Sequence, residues 1–200
     1  MSVHHGDARL SLKTMAEPAL KQATYEDLFT IPEHHVGQII DGVLYTHARP
    51  ASPHAMATSM LSGELVPPFR RGRGGPGGWV ILFEPELHLG RDVLVPDLAG
   101  WRRARMPEMP DTAAFTLAPD WVCEVLSPST ARVDRVLKLP VYAREQVGHV
   151  WFVDPVAQTL EVFELREGVY ALVQAAESEQ RGRFVPFDAL ELDLALLWTR

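Results

Sequence analysis

Apolar positions in this chain fall into short runs broken by glycine, proline and aspartate, a pattern of strands with a few helices between them. Residues 1–21 carry no sustained period and are expected to form a flexible extension, with residues 22–200 as a single domain. Thr24, placed before Tyr25-Glu26-Asp27-Leu28-Phe29, predicts a short capped helix closed at Ile31-Pro32. Val36–Ile40 and Val43–Thr46 flank Asp41-Gly42, a strong hairpin signal. Ser52-Pro53 predicts the start of a helix, with Ser52 as cap. Met56, Met60, Leu61 and Leu65 recur on its core-facing side, and Pro67-Pro68 is expected to stop it.

The segment from Arg70 to Gly78 reads as a flexible, glycine-rich loop. Strands are predicted at Trp79–Phe83, Glu86–Leu89, Val93–Val95, Trp121–Leu126, Val150–Val153, Thr159–Leu165 and Val169–Val173. A helix is expected from about Thr130 to Gln146, kinked just after Lys138 because Pro140 lacks an N–H donor. The apolar tail from Leu190 to Trp198 should dock on the core. This order of elements predicts an α/β fold with a mixed sheet.

Two carboxylates break the apolar pattern. Asp97 lies within Val93-Leu94-Val95-Pro96-Asp97-Leu98-Ala99-Gly100-Trp101, and Glu124 within Trp121-Val122-Cys123-Glu124-Val125-Leu126. Burying an unpaired carboxylate costs several kcal/mol, so such groups are neutralised, paired or bound to a cation. Strand alternation puts Glu124 on the face shared by Val122 and Leu126, with Cys123 on the other. Two carboxylates converging from neighbouring strands repel each other and favour a hard cation with oxygen ligands. On the following helix, Asp134, Lys138 and Tyr142 recur at four-residue intervals beside the stripe Val133, Val136, Leu137 and Val141, so Lys138 can reach Glu124. Plainer readings stand beside this one. Glu124 and Lys138 could be a structural ion pair, Asp97 a strand-end turn residue, and Asp134 with Lys138 an ordinary helix rim.

Composition narrows the function classes. A hydrophobic content of 46% supports one sizeable core, and no run approaches a membrane span. The net charge of −7 argues against a nucleic-acid-coating protein but leaves a nuclease open. The lone cysteine, Cys123, excludes an internal disulfide framework and fits a reducing compartment. Without a signal peptide's apolar core at the N-terminus, the expectation is a soluble cytoplasmic protein with no membrane partner. His54 could contact phosphate or simply cap its helix, and Arg70, Arg71 and Arg73 could meet a nucleic-acid backbone or form a solvated loop.

Pro96-Asp97, Glu124-Val125-Leu126-Ser127-Pro128-Ser129-Thr130, Asp134, Lys138, Tyr142 and His149-Val150-Trp151-Phe152-Val153-Asp154-Pro155 together resemble the Uma-type restriction endonucleases. That bacterial family, long listed as a domain of unknown function, belongs to the PD-(D/E)XK nuclease superfamily. Ile39-Ile40-Asp41-Gly42 and Ser52-Pro53-His54 match its pattern too, so the resemblance spans about residues 24–198. It implies a restriction-endonuclease-like core, a mixed sheet flanked by helices with additional hairpins. It also implies divalent metal binding by Asp97 and Glu124. The superfamily lysine sits two residues after the second acid, where this chain has Leu126; Lys138 on the next helix stands in for it. Gln38 occupies the place of a family glutamate and has one charge fewer.

The resulting expectation is a Mg²⁺- or Mn²⁺-dependent endonuclease acting on DNA, with a homodimer suited to cutting two antiparallel strands. Asp97, Glu124 and the carbonyl of Val125 would hold the metal, Lys138 would act on the water, and Asp134 would fix Lys138. Gln38 would support the metal's outer shell, while His54 and Arg70–Arg73 would contact substrate. The alternative is a catalytically degenerate nuclease fold that binds nucleic acid or protein.

Overall fold

The computed structural model describes residues 22–49 and 51–198; the predicted N-terminal extension lies outside them. Among the described residues the chain forms helix α1 (Tyr25–Leu28), strands β1 (His35–Ile40) and β2 (Val43–Ala48), and helix α2 (Ser52–Leu65). Strands β3 (Trp79–Phe83), β4 (Glu86–Leu89), β5 (Asp92–Leu94), β6 (Leu98–Arg102), β7 (Ala114–Phe115) and β8 (Trp121–Val125) follow. Helix α3 (Leu139–Arg144) leads to β9 (His149–Asp154), β10 (Thr159–Arg166), β11 (Val169–Glu177), the short β12 (Arg181–Gly182) and β13 (Leu192–Asp193), and α4 (Ala195–Trp198). No helix among the described residues is long and apolar enough to cross a membrane.

The strands build two mixed sheets rather than one. The larger runs β11-β10-β9-β8-β6-β3 and the smaller β2-β1-β5-β4-β7, with β12 and β13 as a separate ribbon. Both contain one parallel pair, β8 with β9 and β4 with β7. Parallel neighbours need a crossover, and the segment carrying α3 supplies it between β8 and β9. That crossover lays α3 over one face of the large sheet, where Val122, Leu126, Val150 and Phe152 pack with Val141 and Tyr142. On the opposite face Trp121, Cys123 and Val125 pack with Ala57, Leu61 and Leu65 of α2. The predicted alternation along β8 holds, and Cys123 lies opposite Glu124.

Local signals translated well where the chemistry was local. Asp41 and Gly42 both take positive φ, as a primed hairpin turn requires, and β1 pairs with β2 from His35↔Ala48 to Ile40↔Val43. Thr24 caps α1, its N–H donating to the Asp27 carboxylate at 2.7 Å. Other expectations need correction. Ser52 is the first residue of α2 and Ala51 its cap, while Met56 is 43% exposed instead of facing the core. Pro67-Pro68 does not stop the helix; the chain continues through a π turn, Val66–Arg70, whose wider hydrogen bonding tolerates the missing donors. Lys138 likewise ends a π segment, Val133–Lys138, and the expected kink is a change of helix type that leaves Pro140 in the first turn of α3. The apolar run Val93–Trp101 is not one strand: β5 ends at Leu94, the chain bends at Asp97, and Leu98–Arg102 forms β6.

Gly100 in β6 passes between two buried indoles. A Cβ there would stand 3.1 Å from Trp121 Cε3 and 3.2 Å from Trp79 Cε3. Gly100→Ala is expected to cost about 1–3 kcal/mol by overpacking. Thermal melting would then show a lower Tm, by about 2–4 °C per kcal/mol for a chain of this size.

Candidate functional site

The sequence around β8 places one charged side chain where the fold must answer it. Glu124 lies mid-sheet on the α3 face, its side chain 2% exposed. Two donors from the crossover meet it. Lys138 Nζ lies 3.0 Å from Oε2, and the Tyr142 hydroxyl donates to Oε1 at 2.5 Å. The same lysine lies 2.9 Å from Asp134 Oδ1, and both of those side chains are buried. The four-residue intervals noted in sequence therefore converge on Glu124.

Asp97 approaches from the neighbouring strand. It directly precedes β6, which pairs with β8 through Leu98↔Cys123, so its carboxylate faces the end of β8. Its Oδ2 accepts the Val125 N–H at 2.7 Å, and Oδ1 lies 3.1 Å from His54 Nε2. His54 comes from the first turn of α2, on the opposite side of the sheet from Lys138. Its Nδ1 is buried without a hydrogen-bond partner among the described residues.

Asp97, Glu124, Asp134, Lys138 and His54 line one small cleft together with Glu84. Its free volume is about 30 Å³. A small-molecule pocket is typically ~300 Å³ or more, so this cleft suits waters or a hydrated ion rather than an organic ligand. Ser127 and Thr130 add hydroxyls at the rim, linked to each other at 3.0 Å.

Glu84 went unnoticed in the sequence. It directly follows β3, just before Pro85, with φ of 41°, a left-handed conformation that a residue preceding proline rarely adopts. Its N–H donates to the Asp97 carbonyl at 3.0 Å. Burial, then the neighbouring Asp97, raises its carboxyl above the usual range. The combination of glutamate and proline at a strand end was the available signal.

In the cleft Glu124, Asp134, Asp97 and Glu84 meet Lys138, His54 and His47, and Arg49 acts on Glu84 from nearby. Burial pushes the Glu124 carboxyl up to about 8; Lys138 opposes the shift, while Asp134 and Asp97 add to it. Burial works against the Lys138 charge, but Asp134 and Glu124 outweigh it and hold the ammonium more firmly protonated than usual. The Tyr142 hydroxyl is raised well above its ordinary value by burial and by Glu124.

Other expected residues lie elsewhere. Gln38 is buried, but its carbonyl oxygen accepts the Val95 N–H at 2.9 Å, so it braces the strand leading to Asp97. Arg70, Arg71 and Arg73 do not line the cleft. They lie at or beyond the far end of the helix, and Arg70 stands sixteen positions from His54, roughly 24 Å at the helical rise. Among the described residues, no group of three or more His, Cys, Asp or Glu side chains is arranged to hold a metal by itself.

Comparison with known proteins adds to this geometry. The model of the Uma2 family, described as "Putative restriction endonuclease", matches residues 23–197. A solved structure of "a putative nuclease belonging to DUF820" from Anabaena variabilis superposes with a TM-score of 0.69 at 20% identity, covering 86% of this chain and 96% of that one. At that identity the likeness is one of fold. No curated protein matches the sequence.

The raised Glu124 carboxyl carries a pH signature. The folded state keeps this proton up to about pH 8, whereas the unfolded chain releases it in the ordinary carboxylate range. The contribution to stability is complete below that range and is lost as pH rises through about 8. Without divalent metal, the difference in Tm between wild type and Glu124→Gln should widen to the wild type's disadvantage across this window. Parallel pH profiles in thermal melts would contradict the assignment.

Proposed function

Because this chain belongs to the Uma2 family, we propose that it is a nuclease, a metal-dependent enzyme hydrolysing phosphodiester bonds of DNA. The observation that carries this reading is the cleft itself, where acids from β8, the end of β6 and the end of β3 surround one buried lysine. The donor set fits a hard divalent cation. Mg²⁺ is commonly held by one or two carboxylates and keeps several waters, so the lack of a three-ligand cluster is compatible with it. Asp97 and Glu124 would hold Mg²⁺ or Mn²⁺ together with the Val125 carbonyl. That carbonyl points to the same strand edge as the Val125 N–H bound by Asp97. Bound there, the metal supplies Lewis-acid polarisation of the phosphate and lowers the pKa of a water.

The chain's own residues do the rest. Lys138 orients the attacking water and offsets negative charge developing on the phosphate. Asp134 holds the ammonium in place from one helical turn away. His54 and the Val125 N–H fix the two oxygens of Asp97, and Gln38 fixes the strand before it. Cutting both strands of a duplex suits a two-fold pair of such clefts.

Two observations favour a second reading, a degenerate fold that binds without cutting. Lys138 already pairs with Glu124, and the Gln38 carbonyl is committed to Val95. Titration calorimetry with Mg²⁺ and Mn²⁺ separates the two: binding that disappears in Asp97→Ala supports the metal centre, and heat unchanged by that substitution favours the degenerate fold. In supercoiled plasmid nicking with either metal, Asp97→Ala and Lys138→Ala are expected to lose about 100-fold or more of the rate. Because removing Lys138 strands two buried acids at a cost of about 3–5 kcal/mol, the variant is assayed below its own Tm. Equal background nicking in wild type and both variants would end the catalytic claim.

A further inference from the structure

A second charged surface lies at the end of the large sheet opposite the cleft. The end of the π turn and the loop after it carry Arg70, Arg71 and Arg73, and the end of β6 and the turn after it carry Arg102, Arg103 and Arg105; all six are exposed. The fold joins the two segments. Arg103 N–H donates to the Gly78 carbonyl at 2.8 Å, Trp79 pairs with Arg102 across β3 and β6, and the Arg102 guanidinium stacks 4.2 Å from the Trp79 ring centroid. The glycine loop, expected to be flexible, is tied down. Arg73 N–H donates to Pro67 and Gly77 N–H to Pro68, both at 2.9 Å, and a Cβ on Gly75 would meet Pro68 Cβ at 2.5 Å.

Six arginines on one face are notable in a chain of net charge −7. Among the described residues only Arg105 of the six has a carboxylate partner, Asp120, at 2.9 Å. The Asp120 carboxylate also accepts the Arg102 backbone N–H. Among the described residues the other five are left without a carboxylate partner. Unpaired guanidinium groups held on a rigid frame suit phosphate oxygens, which they meet in bidentate fashion.

We propose that this arginine face is a second nucleic-acid contact, gripping the phosphate backbone of the duplex whose scissile bond lies in the cleft. The proposal rests on the nuclease reading above. Asp97 and Arg102 stand at the two ends of β6, about 16 Å apart along the strand. That spacing matches about five base-pair steps at 3.4 Å each. The face carries no side chain that lines the cleft, so it adds affinity and register without touching the chemistry.

The test reads binding apart from cleavage. Fluorescence anisotropy with a 30-base-pair duplex, in EDTA, is followed over a series of salt concentrations for wild type, R70Q/R71Q/R73Q, R70K/R71K/R73K and R102Q/R103Q. Each phosphate contact contributes about 0.9 to the slope of log affinity against log salt, so the triple variant should lose about 2.7 and the double about 1.8. The triple lysine variant R70K/R71K/R73K should keep most of the slope. Wild-type affinity and slope in both glutamine variants would overturn the proposal. So would a wild type that binds no duplex, which would leave the face to an acidic protein partner. Plasmid nicking stands apart from these readings: intact binding with no metal-dependent nicking removes the nuclease reading and leaves the arginine face standing.

Discussion

A single lysine shared between two buried acids is the interaction on which this structure turns. Lys138 lies within hydrogen-bonding distance of both Glu124 and Asp134, all three nearly free of solvent. Isolated, each acid would be untenable at that depth. Together they require the segment after β8 to cross the sheet at one height and rotation, so that position 138 meets position 124. The parallel pairing of β8 with β9 and the docking of Tyr142 both serve that meeting. Such a network specifies more than it stabilises, since desolvation offsets much of the attraction between buried ions.

A second ion pair, a buried acid met by an exposed arginine, supports the smaller sheet. Asp92, fully buried, accepts the Asp41 N–H at 2.6 Å and pairs with Arg144 at 2.7 Å. It ties the hairpin turn between β1 and β2 to the end of α3. The wall of the cleft formed by Val36, His47 and Ala48 is therefore anchored to the same helix that follows Lys138.

What could be read from the sequence was local. The Asp41-Gly42 hairpin, the alternation along β8 and the helical spacing of Asp134, Lys138 and Tyr142 each depend on neighbours a few residues away, and each agrees with the structure. What could not be read depends on distant partners. Asp92 falls between the predicted strands Glu86–Leu89 and Val93–Val95, and nothing local shows that it accepts from Asp41 and pairs with Arg144. Glu84 had no visible role because its neighbour Asp97 lies on another strand. Pro67, Pro68 and Pro140 looked like breaks, yet wider helical turns absorb them. Met56 matched the apolar stripe of α2 but lies at the margin where the sheet no longer covers it.

Helix α2 joins the two ends of the molecule, presenting His54 to Asp97 at one end and running into Arg70 at the other. Ala57, Leu61 and Leu65 hold its phase against the sheet. Inserting or deleting one residue between them would rotate everything beyond by about 100° and pull that stripe from the core. The separation of the helix's ends is consequently quantised: it can change over generations only by whole turns of about 5.4 Å. Related chains should differ in reach by steps of that size, with α2 as the ruler.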